Sequence, residues 1–169
     1  MKTPPGRPAS PLHIDIRIES PLWDAKSPAE KTVRNSVLAA AAALSTAGGE
    51  VSIVLTDDSA IRSLNRNWRG IDKPTNVLSF PAAGPDIGEG TRLLGDIVIA
   101  FETLERERAD ENRDFLHHLA HLAVHGFLHL NGYDHQTDAQ AEAMEGLESK
   151  IMTRLKMPDP YRAHDLGSA

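Results

Sequence analysis

The sequence predicts an α/β (α+β) fold, in which helices pack on a small mixed sheet of four strands. Four short apolar segments have the length of strands, and they alternate along the chain with segments whose apolar residues recur at helical spacing. A chain of 169 residues also has the length of a single domain with a proper core. We expect the domain to span residues 12–156, with flexible, proline-containing tails at 1–11 and 157–169.

The first three elements follow from local signals. Apolar and polar residues alternate from Leu12 to Glu19, as in a half-buried strand. The segment Ser27-Pro28-Ala29-Glu30 has the pattern of a capping box with proline at the first helical position, which predicts a helix from there to about Ala47. Val51 to Leu55 is the second predicted strand.

A short helix is predicted next. Asp57 or Asp58 is placed to cap its first turn. Ile61, Leu64 and Trp68 then fall on one face, which predicts an amphipathic helix packed through that face.

Two further strands complete the predicted sheet. They are Val77 to Phe80 and Leu93 to Ala100, and we expect Gly95-Asp96 to interrupt the second one. Residues 82–91 between them are rich in glycine and proline, which predicts a flexible insert.

The remainder of the domain is predicted to be helical. Helical sequence runs from Glu102 to Leu130, with an expected break near Asp110 to Asn112. The segment Thr137 to Gln140 is a second capping box. The helix that follows is expected to bury residues at helical spacing, namely Met144, Leu147, Ile151 and Leu155.

The segment HGFLHLNGYDH carries the strongest functional signal. His125 and His129 are four residues apart, so on a helix they project from one face. Gly132 can adopt left-handed dihedrals, end the helix and bring His135 back toward the other two. Three neutral imidazoles with a fourth position left open are typical of a catalytic zinc site. We therefore predict one zinc ion per chain, bound by His125, His129 and His135.

The spacing of these histidines is that of the metzincin signature. We therefore predict that the fold contains a metal-binding helix and turn like those of metzincins. Gly126 stands where a metzincin has its catalytic glutamate, so the metal site is retained without the general base of a peptidase. His118 and His121 lie on roughly the same helical stripe. We interpret them as packing residues or partners of the ligands, because no third histidine after a glycine turn completes a site with them.

Composition limits the functional classes. The chain has no cysteine, which excludes disulfides, cysteine-bound zinc and the cysteine-containing nucleobase deaminases. We see neither a secretory signal nor an apolar run long enough for a bilayer, so we expect a cytoplasmic protein. A net charge of −6 and an aromatic content of 5% argue against general affinity for nucleic acids, although a local basic patch remains compatible with them.

Three segments resemble blocks of the YbeY family of bacterial zinc-dependent endoribonucleases. HGFLHLNGYDH is similar to the family signature H-G-x-L-H-L-x-G-Y-D-H. LNRNWRGIDKPTNVLSFP, from Leu64 to Pro81, resembles a block in which an Arg-Gly loop leads through K-P-T-[DN] into V-L-S-F. LLGDIVIA, from Leu93 to Ala100, resembles an L-G-D-I strand. The resemblance covers most of residues 50–136 and does not include the terminal segments.

The resemblance implies a single-strand-specific endoribonuclease that acts on ribosomal RNA, in late small-subunit maturation and ribosome quality control in the bacterial cytoplasm. It implies zinc on His125, His129 and His135, and a functional arginine at Arg69 in the Arg-Gly loop. The expected partners are single-stranded regions of rRNA and the ribosome or its small subunit with associated factors. We expect neither DNA nor a membrane as a partner.

Arg69 also suits a phosphodiester on chemical grounds, because a guanidinium group donates two parallel hydrogen bonds to phosphoryl oxygens. Arg62, Arg66 and Lys73 either form a basic path for an RNA strand or belong to a solvated surface. The sequence leaves both interpretations open.

The proton acceptor of the reaction is not determined by the sequence. Zinc lowers the pKa of a bound water to about 7, and Asp134 or Asp96 is a candidate for accepting its proton. For Asp134, we favour a role in orienting a histidine ligand or capping the turn over the role of base. The 2′-hydroxyl of the RNA is an alternative nucleophile.

Two other functions stay open at this point. A zinc metalloprotease-like hydrolase is favoured by the histidine spacing and opposed by Gly126. A non-catalytic, zinc-containing ribosome assembly factor would need a closed structural site, and removal of the metal should then unfold it.

Overall fold

A computed structural model of the chain describes residues 11–45, 48–82 and 92–161. The expected leader at 1–11, apart from Pro11, and the expected insert at 82–91, apart from Ala82, lie outside the described residues. The end of the first predicted helix, at 46–47, and residues 162–169 of the expected tail also lie outside them.

Four strands and five α-helices follow one another in the described residues. They are β1 (His13–Ile18), α1 (Ala29–Ala43), β2 (Glu50–Thr56), α2 (Asp58–Arg69), β3 (Val77–Pro81), β4 (Leu93–Ala100), α3 (Phe101–Asp110), α4 (Phe115–Leu130) and α5 (Asp138–Arg154). Their order is the predicted one, and the predicted four-stranded α/β architecture is confirmed.

The strands form one mixed sheet in the order β1-β2-β4-β3. β1, β2 and β4 run parallel, whereas β3 runs antiparallel to β4. The central strands β2 and β4 are apolar along most of their length, as expected for strands that are covered on both faces. β1 and β3 form the two edges.

The two faces of the sheet contribute to different apolar clusters. The main core combines one face with α1, α4 and α5, and Ile53, Ile97 and Phe127 are fully buried in it. A smaller cluster on the other face joins α2 to the sheet through Ile61 and Val98. The neighbours Ile97 and Val98 belong to different clusters because successive side chains of a strand point to opposite faces. No described helix has the length and apolar character that crossing a membrane requires.

The start of α1 differs from the prediction. The capping box expected at Ser27 to Glu30 is not formed: Pro28 occupies the cap position, and no side chain caps the helix. The first helical N–H, that of Ala29, instead donates to the carbonyl of Lys26 at 2.9 Å. A preceding turn therefore supplies a partner that the expected cap would have supplied.

The two tryptophans have opposite environments. Trp23 lies in a 3-10 helix, Pro21–Ala25, that the sequence analysis did not identify. It is 2% exposed, and its Nε1 donates to the carbonyl of Thr56 at 2.8 Å. Trp68 was expected to share a packed face with Ile61, but it is 72% exposed, and its ring centroid lies 6.2 Å from that of Phe80 in the edge strand β3.

β4 is continuous, so the interruption predicted at Gly95-Asp96 is a local irregularity. The pairing of β4 with β2 shifts by one residue beside Gly95, which has a φ of +140°. A Cβ at this position would lie 2.2 Å from the carbonyl oxygen of Phe80. Glycine is therefore required both for the backbone conformation and for the close approach of β3.

Other helix boundaries agree with the predictions. Asp57, rather than Asp58, caps α2. The helical sequence breaks after Asp110, and Asp114 caps α4. The second capping box is formed in full, with reciprocal hydrogen bonds between Thr137 and Gln140.

Residues 157–161, which we had assigned to the tail, contact the domain. Arg113 donates to the carbonyl of Pro160 at 2.8 Å, and the hydroxyl of Ser149 donates to Asp159 at 2.9 Å. These bonds lay the segment along α5 and bring Tyr161 toward α4.

Candidate metal centre

Gly126 allows α4 to lie close to the sheet. A Cβ at this position would be 2.9 Å from Cγ2 of Ile97 and 3.2 Å from Oγ of Ser79. The hydroxyl of Ser79 donates to the carbonyl of Gly126 at 3.1 Å, which ties the helix to β3. Position 126 therefore faces the sheet, and a glutamate side chain would not fit there without displacing it.

The imidazoles of His125, His129 and His135 come together beside this contact. Nε2 of His129 lies 3.1 Å from Nε2 of His125. One ring nitrogen from each of the three residues lies within 4.8 Å of the other two. Two nitrogens on one tetrahedral zinc would be about 3.3 Å apart, given Zn–N distances of about 2.0–2.1 Å. The group can therefore hold a metal ion.

The turn after α4 brings His135 to the helix. Gly132 has a φ of +93°, in the left-handed region, and its N–H donates to the carbonyl of His129 at 3.1 Å. The N–H of Tyr133 donates to Leu128, also at 3.1 Å. These bonds satisfy carbonyl groups at the end of the helix, and the predicted glycine turn is confirmed.

A buried carboxylate from α5, that of Glu148, contacts one of the three rings. Oε1 of Glu148 accepts a hydrogen bond from Nδ1 of His125 at 2.7 Å. Its other oxygen accepts from the hydroxyl of Tyr161 at 2.5 Å and lies 3.4 Å from Nε2 of His121. Burial raises the pKa of Glu148, but the hydrogen bonds from His121, His125 and Tyr161 outweigh that effect and lower the pKa to about 2.

The surroundings of His129 also favour the form of its ring that binds a metal. Burial lowers the pKa of His129, and the neighbouring His125 and His135 lower it further. A neutral imidazole is the metal-binding form, so this environment favours ligation over protonation.

His118 and His121 contact carboxylates outside the cluster. Nε2 of His118 lies 3.0 Å from Glu107, which also accepts from the amide of Asn76 at 2.9 Å. His121 contacts Glu148. Neither histidine belongs to the group of three that could share a metal ion, which is consistent with our interpretation of them as partners or packing residues.

The three imidazoles open into a cleft of about 610 Å³ that Arg69 also lines. Arg69 is the last residue of α2, and its Nη2 donates to the carbonyl of Ser79 at 3.3 Å. No carboxylate of the described residues forms an ion pair with it. The structure thus brings the predicted arginine and the predicted histidines to one cleft.

Arg62 and Arg66 are engaged elsewhere. Both form ion pairs with Asp72, at 2.9 Å and 3.9 Å respectively, on an exposed surface. They do not line the cleft. The contacts favour the interpretation of these two arginines as part of a solvated surface.

The two candidate proton acceptors lie on different sides of the sheet. Asp134 lines the cleft, and its Oδ1 accepts from the N–H of His135 at 2.8 Å. Asp96 lines a separate groove on the face of α2, together with Trp68 and Phe80. The expectation that Asp96 could serve the histidine cleft is therefore contradicted by its position.

The sequence analysis missed Glu148 and Tyr161. A signal for Glu148 was present, because position 148 falls in the same helical stripe as Met144 and Ile151. A charged residue in a buried stripe needs a buried partner. Tyr161 carried no such signal, since it lies outside any regular element.

Comparison with known proteins finds relatives that all have the same name. The sequence model described as Endoribonuclease YbeY matches residues 17–156. Endoribonuclease YbeY of Rhodopseudomonas palustris (strain BisA53) is 52% identical over 160 residues, which cover 92% of this chain and 93% of that protein. Endoribonuclease YbeY of Nitrobacter hamburgensis is also 52% identical over 160 residues, covering 91% and 84%.

A solved structure gives the same fold. The solution structure of TM1509 from Thermotoga maritima matches with a TM-score of 0.52 and 24% identity, over 87% of this chain and 97% of that one. This likeness concerns the fold alone. The sequence model and the relatives settle the family: the chain belongs to the Endoribonuclease YbeY family.

Proposed function

We propose that this protein is a zinc-dependent endoribonuclease that cleaves single-stranded regions of ribosomal RNA during maturation of the small subunit. Membership of a family whose relatives are named endoribonucleases supports the reaction class. The observation that carries the proposal is the convergence of three imidazoles and an arginine on one open cleft.

In this proposal His125, His129 and His135 hold the zinc ion. Three neutral nitrogen donors fit zinc and leave a coordination position open, which is the catalytic rather than the structural arrangement. When bound, the ion supplies Lewis acidity toward a phosphoryl oxygen.

Arg69 binds the phosphodiester and stabilises the negative charge that develops on it. One N–H group of its guanidinium is used to hold the side chain against Ser79, and the fork retains further donors for phosphoryl oxygens. A lysine at position 69 would supply the charge without the paired geometry.

Asp134 has two compatible roles. Its hydrogen bond with the N–H of His135 stabilises the turn that carries the third ligand. It is also the carboxylate that lines the cleft within the described residues, where it could accept a proton. Replacement by asparagine, which retains an acceptor for the turn and loses the basicity, separates the two roles.

Two features support RNA cleavage over the alternatives. A peptidase of the metzincin type needs a glutamate after the first histidine, and position 126 is packed against the sheet. A non-catalytic assembly factor would need a closed metal site, whereas these rings line an open cleft beside an arginine without a carboxylate partner in the described residues.

The ribosome is the proposed context of the reaction. A net charge of −6 gives the protein little intrinsic attraction for free RNA. Delivery of the strand by the small subunit or its associated factors would compensate for this weak attraction.

The test compares labelled single-stranded RNA and a labelled peptide with one protein preparation. The variants are His129→Ala, Arg69→Ala and Arg62→Ala, and zinc content is measured by mass spectrometry. Arg62 is the matched control, because it lies on the same helix and is paired with Asp72 outside the cleft. We expect His129→Ala to lose both zinc and RNA cleavage, Arg69→Ala to lose cleavage alone, and Arg62→Ala to retain both.

Two results would refute the proposal. The first is zinc-dependent hydrolysis of the peptide with the RNA left intact. The second is equal RNA turnover by wild type and Arg69→Ala, which would remove the arginine from the mechanism.

A further inference from the structure

Glu148 is a charged residue in the interior of the protein. Its side chain is 1% exposed, and it lies in the middle of α5 among residues of the main core. An unpaired carboxylate in such a place would be strongly destabilising. In the described part of the chain it has three polar partners: His121 and His125 of α4, and Tyr161.

The contact with His125 decides which ring nitrogen faces the cleft. A carboxylate can only accept, so at 2.7 Å the Nδ1 atom of His125 must carry the hydrogen. The lone pair of the neutral ring then resides on Nε2, the atom that lies 3.1 Å from Nε2 of His129. The hydrogen bond thus fixes both the tautomer and the orientation of the ring.

The remaining partners hold the carboxylate itself. The hydroxyl of Tyr161 donates to Oε2 at 2.5 Å, and His121 lies 3.4 Å from the same oxygen. Tyr161 is brought there by the segment after α5, through the bonds of Asp159 to Ser149 and to the N–H of Tyr161. Residues distant from the ligands in sequence therefore reach the metal centre.

We propose that Glu148 is a positioning residue of the metal centre, which directs Nε2 of His125 toward the ion, and that Tyr161 keeps its carboxylate in place. The inference rests on the proposed function insofar as the histidines bind a metal. According to this proposal, α5 and the segment that follows it contribute to the affinity for the metal.

The competing interpretation is that Glu148 and Tyr161 only connect α5 to α4. Both interpretations predict a loss of stability when the carboxylate is removed. Only the positioning role predicts weaker metal binding by protein that is fully folded, and an altered environment of the bound ion. Partners of metal-binding histidines affect metal affinity by about 10- to 100-fold in proteins.

The experiment measures metal affinity and cobalt spectra at a temperature at which every variant is folded. The probes are Zn²⁺, titrated against a competing chelator, and Co²⁺, whose visible absorption reports ligand geometry. The variants are Glu148→Gln, Tyr161→Phe and Ile151→Val. Ile151→Val is the matched control, because it removes one buried methyl group from the same helix and leaves the carboxylate of Glu148 present.

We expect Glu148→Gln to bind Zn²⁺ about 10- to 100-fold more weakly than wild type, with a changed Co²⁺ spectrum. Tyr161→Phe should show a smaller loss in the same direction, and Ile151→Val should bind like wild type despite a lower unfolding midpoint. If Glu148→Gln does not fold, Tyr161→Phe decides the question, since it removes a single hydroxyl group.

Equal affinities and identical Co²⁺ spectra in wild type and the folded variants would overturn the positioning role and leave the proposed function untouched. A wild-type protein that binds neither ion would overturn the proposed zinc site itself, and the positioning role with it. The two failures are therefore distinguishable in one set of titrations.

Discussion

Two glycines at central positions of helices provide a test of the packing at the metal centre. Gly126 lies in α4 against the sheet, and Gly146 lies in α5 with no atom within 4 Å of where its Cβ would be. Replacement of either by alanine gains the same helix propensity, about 0.5–1 kcal/mol. The two substitutions therefore differ only in what the new methyl group meets.

The magnitude follows from the contacts of the added Cβ at position 126. It would lie 2.9 Å from Ile97 and 3.2 Å from Ser79, both shorter than ordinary van der Waals contact. Overpacking of this kind costs about 1–3 kcal/mol. We expect Gly146→Ala to be stabilised by up to about 1 kcal/mol, and the unfolding free energy of Gly126→Ala to be lower than that of Gly146→Ala by about 1–3 kcal/mol.

The assay is equilibrium unfolding in urea of wild type and both variants, with the metal removed by a chelator so that only packing is compared. A third variant, Gly126→Glu, introduces the glutamate of the metzincin signature. It should be less stable than Gly126→Ala and, after zinc has been restored, show no peptidase activity, because the side chain is directed at the sheet. A Gly126→Ala variant as stable as Gly146→Ala would refute the argument that position 126 is closed by the sheet.

Three further predictions concern the turn, the carboxylate beside His118 and the metal. Gly132→Ala should lose about 1–2 kcal/mol of stability and bind zinc more weakly, as measured by urea unfolding and metal titration, because φ is +93° there and the turn carries His135. Glu107 has a pKa below its ordinary 4.5, since hydrogen bonds from His118 and Asn76 outweigh the opposing effect of burial. The ionised carboxylate of Glu107 therefore adds to the free energy of unfolding above pH 4.5, and this contribution is lost as the pH falls through the lower pKa of the folded state. Urea unfolding should show that Glu107→Gln is less stable than wild type above pH 4.5 and that the difference shrinks below it. Chelation should lower the thermal midpoint and leave the circular dichroism of the folded protein unchanged; unfolding by the chelator would indicate a structural site.

Local signals in the sequence were sufficient for much of the fold. The cap at Thr137 and the turn at Gly132 depend on a few adjacent residues and occur as predicted, and Asp57 is one of the two caps predicted for α2. The three histidines were predictable for the same reason, because they fall within one helix and the turn that ends it. Arg69 is adjacent to the cleft as expected, and its role in catalysis stays a prediction.

The predictions that were wrong concern features that depend on contacts with neighbouring parts of the structure. Pro28 begins α1 without a side-chain cap because the preceding turn supplies a hydrogen-bond partner. Trp68 follows the apolar stripe of α2, yet its side chain is mostly exposed and contacts Phe80 of the edge strand β3. No periodicity in α2 reveals how wide the sheet is. Asp96 was a plausible acid-base residue by composition, and only the alternation of β4 excludes it from the cleft.

The carboxylates of the metal centre connect these results to the reaction. A peptidase with this histidine spacing has its glutamate in the cleft, whereas here the sheet occupies that position and the buried carboxylate contacts the ring of His125. Within the described residues, Asp134 is left as the carboxylate of the cleft, and it already accepts from the N–H of His135. A peptide substrate would have to obtain both its nucleophile and its base from such a site. RNA carries a 2′-hydroxyl beside each scissile phosphate, so the substrate itself can supply the nucleophile. A cleft in which the described residues offer Arg69 no carboxylate partner and supply few bases thus suits a phosphodiester better than a peptide bond.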